Sequence, residues 1–317
     1  MKNTFAHTLV TGLSLIAALN SFAGHQVEKS PKTVLEPEPT RTLFPDDPAG
    51  LITAGVQFSE HLTGVYVDSI TGLWTTPERD AFLFLDSLYQ YEDNGQFVSS
   101  TGLAFRKLLS EAGVIVGANV FWDSISSARD NDYDQLGLGV EVLSRWVDFR
   151  FNYYLPEDDQ YVVARSSRTQ SSEFRSGGSV VERTRTRGFK RYEAALEGFN
   201  SELGFLVPGL DRYAEVRLFG GYYHYANPFG GDFNGFKARL EARLLPGVIA
   251  DVEYWDDSAL MGGHWTAGMR VSVPFSLFNL VKGRNPFEGA GDFFTPRSRE
   301  FGERLEEMII RSHRIKT

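Results

Sequence analysis

The histidines of the sequence are the residues best suited to hold a metal ion or to move a proton. None of them forms an HxxxH or HExxH pattern, in which two histidines share one helical face and bind zinc. The chain contains no cysteine, so it offers no thiolate ligand either. The sequence therefore predicts neither a metal site nor a cofactor. The histidines are His7, His25, His61, His224, His264 and His313.

One small group could still form a hydrolytic site. Asp256, Asp257 and His264 fall in the connection between the last two predicted strands. A surface protease of the omptin sort uses acidic and histidine pairs at such a rim to activate water. Two loop aspartates and an interfacial histidine are the simpler interpretation, so we predict no catalytic residue. Gly137 and Gly139 lack the strand–turn–helix context of a nucleotide-binding loop and are interpreted as strand glycines.

The stretch from Trp265 to Phe275, WTAGMRVSVPF, has an apolar residue at every second position. Successive strand residues point to opposite faces, so this strand lies between two different surroundings. An apolar outer face and a polar inner face are typical of a membrane β-barrel, although a soluble sheet gives the same pattern in one strand. We interpret it as the closing strand, with an assembly signal at Trp265, Val271, Val273 and Phe275.

Other segments repeat the alternation, and their polar faces are charged. About twelve segments, each near the length of a membrane strand, favour a transmembrane antiparallel β-barrel over a soluble sandwich. Charges facing lipid at mid-depth would each cost about 2 to 4 kcal/mol, so we expect these side chains to line a wet pore. The predicted pore-lining residues are Asp148, Arg150, Asn152, Lys237, Arg239, Glu241, Arg243, Asp251, Glu253 and Arg270.

The chain of 317 residues divides into four predicted parts. Residues 1–23 are predicted to be a signal peptide, with Lys2, an apolar run and a small-residue cleavage site at Ser21-Phe22-Ala23. Residues 24–50 form a proline-rich periplasmic tether, because repeated prolines with few apolar residues cannot pack a core. Residues 51–275 are the barrel, and residues 276–317 are a tail. This organisation predicts an outer-membrane location.

Two segments do not fit the barrel pattern. Residues 156–187 are expected to be an irregular polar loop, solvated or attracting anions such as lipopolysaccharide phosphates. Its arginines are Arg165, Arg168, Arg175, Arg183, Arg185 and Arg187. Residues 296–315 predict a helix with an apolar stripe, which could lie in the pore or under the barrel in the periplasm. The stripe contains Phe301, Leu305, Met308 and Ile309.

Several stretches carry a family resemblance. They are GLAFRKLL, GVIVGANVFWDS, LGLGVEVLSRWVDFRFNYYLP, YYHYANPFGG, LLPGVIADVEYWDD and the tail RLEEMIIRSHRIKT. In order and spacing, over about residues 53–317, the chain resembles the inverse autotransporter β-domain of the intimin and invasin adhesins. The resemblance implies a twelve-stranded outer-membrane barrel with a periplasmic N-terminus. It also implies that the chain after the last strand threads through the pore towards an Ig-like passenger.

The sequence as given reaches Thr317 without an Ig-like domain, so adhesion is not carried over and any surface ligand is unknown. We expect a non-enzymatic membrane anchor and translocation pore for the C-terminal segment. The alternatives are a passive porin with a periplasmic tail, a rim protease and a soluble periplasmic sandwich. The expected partners are outer-membrane lipid, the barrel-assembly machinery and periplasmic chaperones. Nucleic acid is not expected, because the net charge is -9 and the charges are mixed.

Overall fold

The computed structural model describes residues 49–60, 63–157, 160–176, 179–210, 214–257, 262–288, 290–297 and 299–312. The predicted signal peptide and nearly all of the predicted tether lie outside these residues. Ala49 and Gly50, which we had assigned to the tether, already belong to the first strand.

The described residues form fourteen strands, and twelve of them close into an antiparallel barrel. The barrel strands are β1 (Ala49–Ser59), β2 (Thr63–Thr75), β3 (Ala81–Glu92), β4 (Phe97–Leu109), β5 (Val114–Ser126), β6 (Asp132–Ser144), β7 (Val147–Pro156), β10 (Gly198–Leu206), β11 (Glu215–Tyr225), β12 (Phe233–Leu245), β13 (Val248–Asp257) and β14 (Gly262–Ser276). The remaining two are β8 (Gln160–Ser176) and β9 (Ser179–Ala194). β1 pairs with β14 and closes the barrel, and β7 pairs directly with β10. The predicted twelve-stranded barrel is confirmed.

The barrel strands alternate between an apolar outer face and a more polar inner face. In β2, Val65 and Val67 are 52% and 50% exposed, whereas their neighbours Tyr66 and Asp68 are buried. In a closed barrel this pattern fits lipid on the outside and a polar interior. Among the described residues, no helix has the length and apolar character needed to cross a membrane.

The two ends of the barrel differ mainly in one long strand connection. The end where β1 begins and β14 finishes, called the terminal end, has strand connections as short as residues 145–146 and 246–247. The opposite end, called the hairpin end, carries the long connection between β7 and β10, which contains β8 and β9. Its other connections, such as 93–96 and 127–131, are also short. Outside the β8–β9 region, the connections at the two ends therefore differ little in length.

The region expected to be an irregular loop is instead a two-stranded antiparallel hairpin formed by β8 and β9. Its polar residues pair across the strands, as in the hydroxyl contacts Thr169–Thr186 and Ser171–Thr184, each 3.2 Å long. β-Branched and hydroxyl side chains suit a solvated ladder of this kind. At its base, Glu193 accepts hydrogen bonds from Arg129 at 2.8 Å and Asn131 at 2.6 Å.

The tail does not form the single helix predicted over residues 296–315. It contains a short α-helix, α1 (Leu277–Val281), and 3-10 turns at Ala290–Phe294 and Phe301–Glu306. From Glu307 to Ser312 the chain has no helical structure. The reason lies in tertiary contacts, because tail carbonyl groups that a helix would use internally accept hydrogen bonds from Arg106 of β4.

Candidate functional site in the barrel lumen

The ten residues predicted to line the pore occupy inward-facing positions on β7, β12, β13 and β14. Asp148, Arg150, Asn152, Arg239 and Arg270 are buried there. The other five are Lys237, Glu241, Arg243, Asp251 and Glu253, which are partly buried. These side chains do not simply face water, because ion pairs join most of them.

Arg239 and Arg270 organise the network along one wall. Arg239 Nη2 lies 2.8 Å from Glu202 Oε2, and its Nη1 lies 2.7 Å from Glu241 Oε2. Arg270 Nη2 is 2.8 Å from the same Glu241 oxygen, and its Nη1 is 3.1 Å from Asp251 Oδ1. Each carboxylate thus faces at least one guanidinium, which compensates for burying charge among the strands.

Other partners in the lumen belong to the tail, which enters from the terminal end. Arg304 forms a two-pronged pair with Asp148, with both nitrogen–oxygen distances 2.8 Å, and donates to the carbonyl of Ser144. Asp148 and Ser144 flank the short turn between β6 and β7, at the terminal end. This fork-to-carboxylate geometry fixes the orientation of the side chain as well as its charge.

Arg311 makes a second two-pronged pair, close to the hairpin end. Its nitrogens lie 2.5 and 2.6 Å from the carboxylate of Asp123, and Nη1 lies 3.1 Å from Ser100 Oγ. The guanidinium also lies 4.4 Å from the ring centroid of Phe121. Gly137 makes room for it, since a Cβ there would lie 1.9 Å from Arg311 Nη2. A side chain at this position would therefore displace the Arg311 guanidinium from its place beside Asp123.

The backbone of the tail is bound as well as its side chains. Arg106 Nη1 donates to the carbonyls of Arg304 at 3.3 Å, Leu305 at 3.0 Å and Glu307. Further on, the Ile309 amide donates to Asp86 at 3.3 Å, and the Ser312 amide donates to Tyr154 Oη at 2.9 Å. Non-helical backbone is tolerated at membrane depth only where protein groups or cavity water satisfy its polar atoms.

Apolar contacts hold the same segment from the other side. Leu305 and Ile309 are buried against inward-facing residues near the terminal end, together with Phe293. Their partners are Leu51, Ile70, Phe82, Phe84, Ala104, Leu108, Ile115, Phe121 and Leu143. Two of the four residues of the predicted helical stripe therefore serve as buried anchors, and Phe301 and Met308 pack against them.

The order of these contacts gives the direction of the tail. Arg304 meets the first residues of β7 at the terminal end, Ile309 meets the middle of β3, and Arg311 meets the far part of β5 near the hairpin end. The chain therefore runs along the lumen from the end holding the termini towards the hairpin. Beside it remains a cavity of about 250 Å³, which Arg150, Lys237, Trp255 and Arg270 help to line.

Comparison with known proteins agrees with this architecture. The family model described as the inverse autotransporter β-domain matches residues 22–229, more than half of the chain. The chain belongs to the inverse autotransporter β-domain family. No curated protein sequence gives a significant match.

One solved structure supports the fold of this inverse autotransporter β-domain, and a second aligns more weakly. A structure reported in work on the in-meso crystallization of membrane proteins aligns with a TM-score of 0.59 at 14% identity, covering 84% of this chain and 98% of that one. The COG4313 outer membrane channel from Pseudomonas putida F1 aligns with a TM-score of 0.45 at 12% identity, covering 72% and 94%. The first similarity shows the fold alone. Family and fold together place the protein in the outer membrane and do not correspond to a known enzyme class.

Asp256 and His264, two of the three rim residues considered for hydrolysis, are not brought together. His264 points inward and stacks on Trp255 with a centroid distance of 6.3 Å, whereas Asp256 lies on the alternate, exposed face of β13. The side chain of Asp257 lies outside the described residues. Within the described part of this inverse autotransporter β-domain, no three His, Asp or Glu side chains are arranged to hold a metal ion.

Sequence reasoning missed several residues of the lumen. Asp123, Glu141 and Glu202 lie at inward positions of strands whose polarity alternates recognisably. Their charge and their place in this alternation could have identified them. Arg304 and Arg311 gave no such signal, because their partners Asp148 and Asp123 lie 156 and 188 residues away in sequence. The assignment of Trp265, Val271, Val273 and Phe275 to an assembly signal stays a prediction.

Proposed function

We propose that this outer-membrane barrel anchors its own C-terminal segment and serves as the pore through which that segment crosses the membrane. The observation that carries the proposal is the tail itself. Residues 301–312 run along the lumen with side chains and backbone bound to the wall. A segment that only plugged the barrel from below would not need to reach Asp123 and Tyr154, near the hairpin end.

The orientation follows from the general rule that both termini and the short turns of such barrels face the periplasm. The terminal end is then periplasmic, and the hairpin end faces outwards. Residues 1–23 would direct export, as their composition predicts. Periplasmic chaperones and the barrel-assembly machinery would act on the unfolded strands, with the closing strand and its aromatic end Phe275 as the recognised signal. The outer face would contact lipid.

Epitope accessibility on cells tests the proposal. One tag follows Thr317, a second lies at the hairpin tip between residues 176 and 179, and a third lies in the β4–β5 turn after Glu111. We expect antibody to label the first two tags on intact cells and the third only after the outer membrane is permeabilised. Translocation would be contradicted if antibody labelled the hairpin tag on intact cells but the tail tag only after permeabilisation. The orientation would be contradicted if the turn tag were labelled on intact cells and the hairpin tag only after permeabilisation.

A second candidate is passive conduction. The cavity of about 250 Å³ beside the tail, with its charged lining, favours a narrow residual path for small ions. In this case the tail would regulate conductance rather than be transported.

We also infer a non-enzymatic role, because Asp256 and His264 point in different directions. Peptide hydrolysis by the purified protein that disappears in the His264→Ala variant would contradict that inference.

A further inference from the structure

The β8–β9 hairpin segregates its charges between its two faces. The cross-strand register places Arg168, Arg183, Arg185, Arg187 and Arg191 on one side, called the arginine face. The other residues of this face over the same span are Ala164, Ser166, Gln170, Ser172 and Phe189, so none of these ten positions carries a carboxylate. A stripe of five guanidinium groups is thus built from alternate residues of a single hairpin.

The opposite face of the same hairpin carries neutral hydroxyl residues and charges of both signs. Its centre holds the neutral hydroxyl pairs Thr169–Thr186 and Ser171–Thr184. Towards the tip, Glu173 lies across from Glu182 and Arg175 lies beside them, whereas Arg165 lies across from Lys190 towards the base. Both signs of charge are mixed on this face. The segregation therefore belongs to the arginine face and does not follow from the overall composition of the hairpin.

The arginine face is electrostatically strained as it stands. Arg168 is directly opposite Arg187, an arrangement in which like charges destabilise a strand pair. Within the described part of the chain, Arg168, Arg185 and Arg187 form no ion pair with an acidic residue. All of these side chains are exposed. An anion bound along this face would remove the repulsion, so the face is complementary to a negatively charged partner.

We propose that the arginine face binds an acidic polysaccharide, a proposal that uses the outward orientation of the hairpin given above. Alternate residues of a strand lie about 6.6 to 6.8 Å apart. Arg183, Arg185 and Arg187 therefore lie in a row at regular intervals. The guanidinium groups of Arg185 and Arg187 can each hold a carboxylate through two parallel hydrogen bonds. Ser166, Gln170 and Ser172 between them offer neutral partners for sugar hydroxyls.

Two other anionic partners fit this face less well. Single-stranded nucleic acid is usually bound on several aromatic platforms, and Phe189 is the sole aromatic among the positions from 164 to 172 and from 183 to 191. A lipid surface is usually bound by an element that also has an apolar face. The reverse side of this hairpin consists instead mainly of hydroxyl pairs and charged residues, with Val180 as its one large apolar side chain from 165 to 175 and from 180 to 190.

Binding of labelled alginate to the full chain in detergent micelles, at roughly 50 mM salt, tests the proposal. The variant R168Q/R185Q/R187Q removes three charges from the arginine face. The matched control R165Q/R175Q/K190Q removes three charges from the opposite face of the same hairpin. We expect the first variant to weaken alginate binding by about tenfold and the control by less than about threefold, since exposed ion pairs contribute little individually and more as a set.

Both variants should keep the heat-modifiable gel migration of a folded barrel, which separates loss of binding from loss of fold. Equal weakening in the two variants would show a general charge effect and overturn the proposal. Tighter binding of an oligothymidylate than of alginate, or binding only to vesicles containing lipopolysaccharide, would also overturn it. Binding by the purified chain does not depend on whether the tail crosses the membrane, so this proposal can fail separately from the translocation pore.

Discussion

At the scale of single residues, the tail is held by arginines whose partners were placed in advance by the strands. Arg304 and Arg311 are both buried, and each faces one carboxylate through two nitrogen atoms. A buried ion pair of this kind adds little net free energy to folding, but removing one of its two partners is strongly destabilising. A single charge left behind in a buried position has no compensation.

We expect Asp123→Asn to destabilise the folded barrel by about 3 to 5 kcal/mol, because it leaves Arg311 buried without its counter-charge. The measurement is denaturant unfolding of the protein in lipid vesicles. The double variant D123N/R311Q should recover part of the loss, since it removes both charges. Equal unfolding midpoints for the native and D123N proteins would show that Arg311 is not held by this pair.

The pair between Lys107 and Asp80 is the matched control at the terminal end. Its atoms are 2.6 Å apart, and both side chains are partly exposed to solvent, unlike the buried pair of Asp123 and Arg311. The hydrogen bond from Lys107, helped by one from Thr76, lowers the pKa of Asp80 below its ordinary value. Its stabilising effect is therefore present above the ordinary carboxyl pKa and is lost as the pH falls through the lowered one. Asp80→Asn should change the unfolding midpoint far less than D123N does.

At the scale of elements, the barrel wall and the hairpin are separable. β7 and β10 are direct neighbours in the barrel, with Asn152 opposite Asn200, although 41 residues lie between these two strands in sequence (157 to 197). The hairpin thus adds nothing to the closure of the barrel. Its base is tied to neighbouring loops, through Glu193 and through the stacking of Tyr192 on Phe229 at 4.9 Å.

Replacing residues 165–190 by an Asn-Gly turn should leave the barrel folded. Ala164 and Arg191 are paired across the hairpin, so a two-residue turn can join them. The closure entropy also changes little with loop length. Heat-modifiable migration and the unfolding midpoint should match those of the full chain, while alginate binding is lost. An unfolded product would mean that the hairpin contributes to barrel assembly.

At the scale of the whole molecule, the lumen and the tail form one packed unit. Charged residues from nearly every side of the barrel converge on residues 304–311, and apolar residues near the terminal end enclose Leu305 and Ile309. A wet, charged lumen and an occupied lumen are therefore compatible. The same side chains that would line an open pore provide the binding sites of the tail.

Removal of residues 296–317 should convert the narrow remaining path into a wider pore. We expect single-channel conductance in planar bilayers to rise severalfold, because the described tail residues that fill the lumen are gone. The hairpin-truncated protein is the control, and its conductance should remain that of the full chain. Unchanged conductance after tail removal would mean that the tail does not obstruct the path taken by ions.

The sequence by itself determined which strand residues face lipid and which face the lumen, because a period of two in polarity is a local property of the chain. It placed Asp148, Arg239 and Arg270 inside for this reason, and it indicated the closing strand. The tertiary structure alone decided the form of the tail. The stripe of Phe301, Leu305, Met308 and Ile309 suits a helix in isolation. Contacts between the tail backbone and the barrel wall, such as those of Arg106, Asp86 and Tyr154, favour an open backbone instead.

The pairing of β8 with β9 was also beyond what the sequence alone could determine, for a different reason. Both of its faces are polar, so the alternation that identified the barrel strands is missing, and the segment was predicted to be an irregular loop. Once β8 and β9 pair, the register decides that Arg168 and Arg187 lie opposite each other and that five arginines share a face. Pairing partners are set by distant residues meeting in space, and a local pattern does not contain that information.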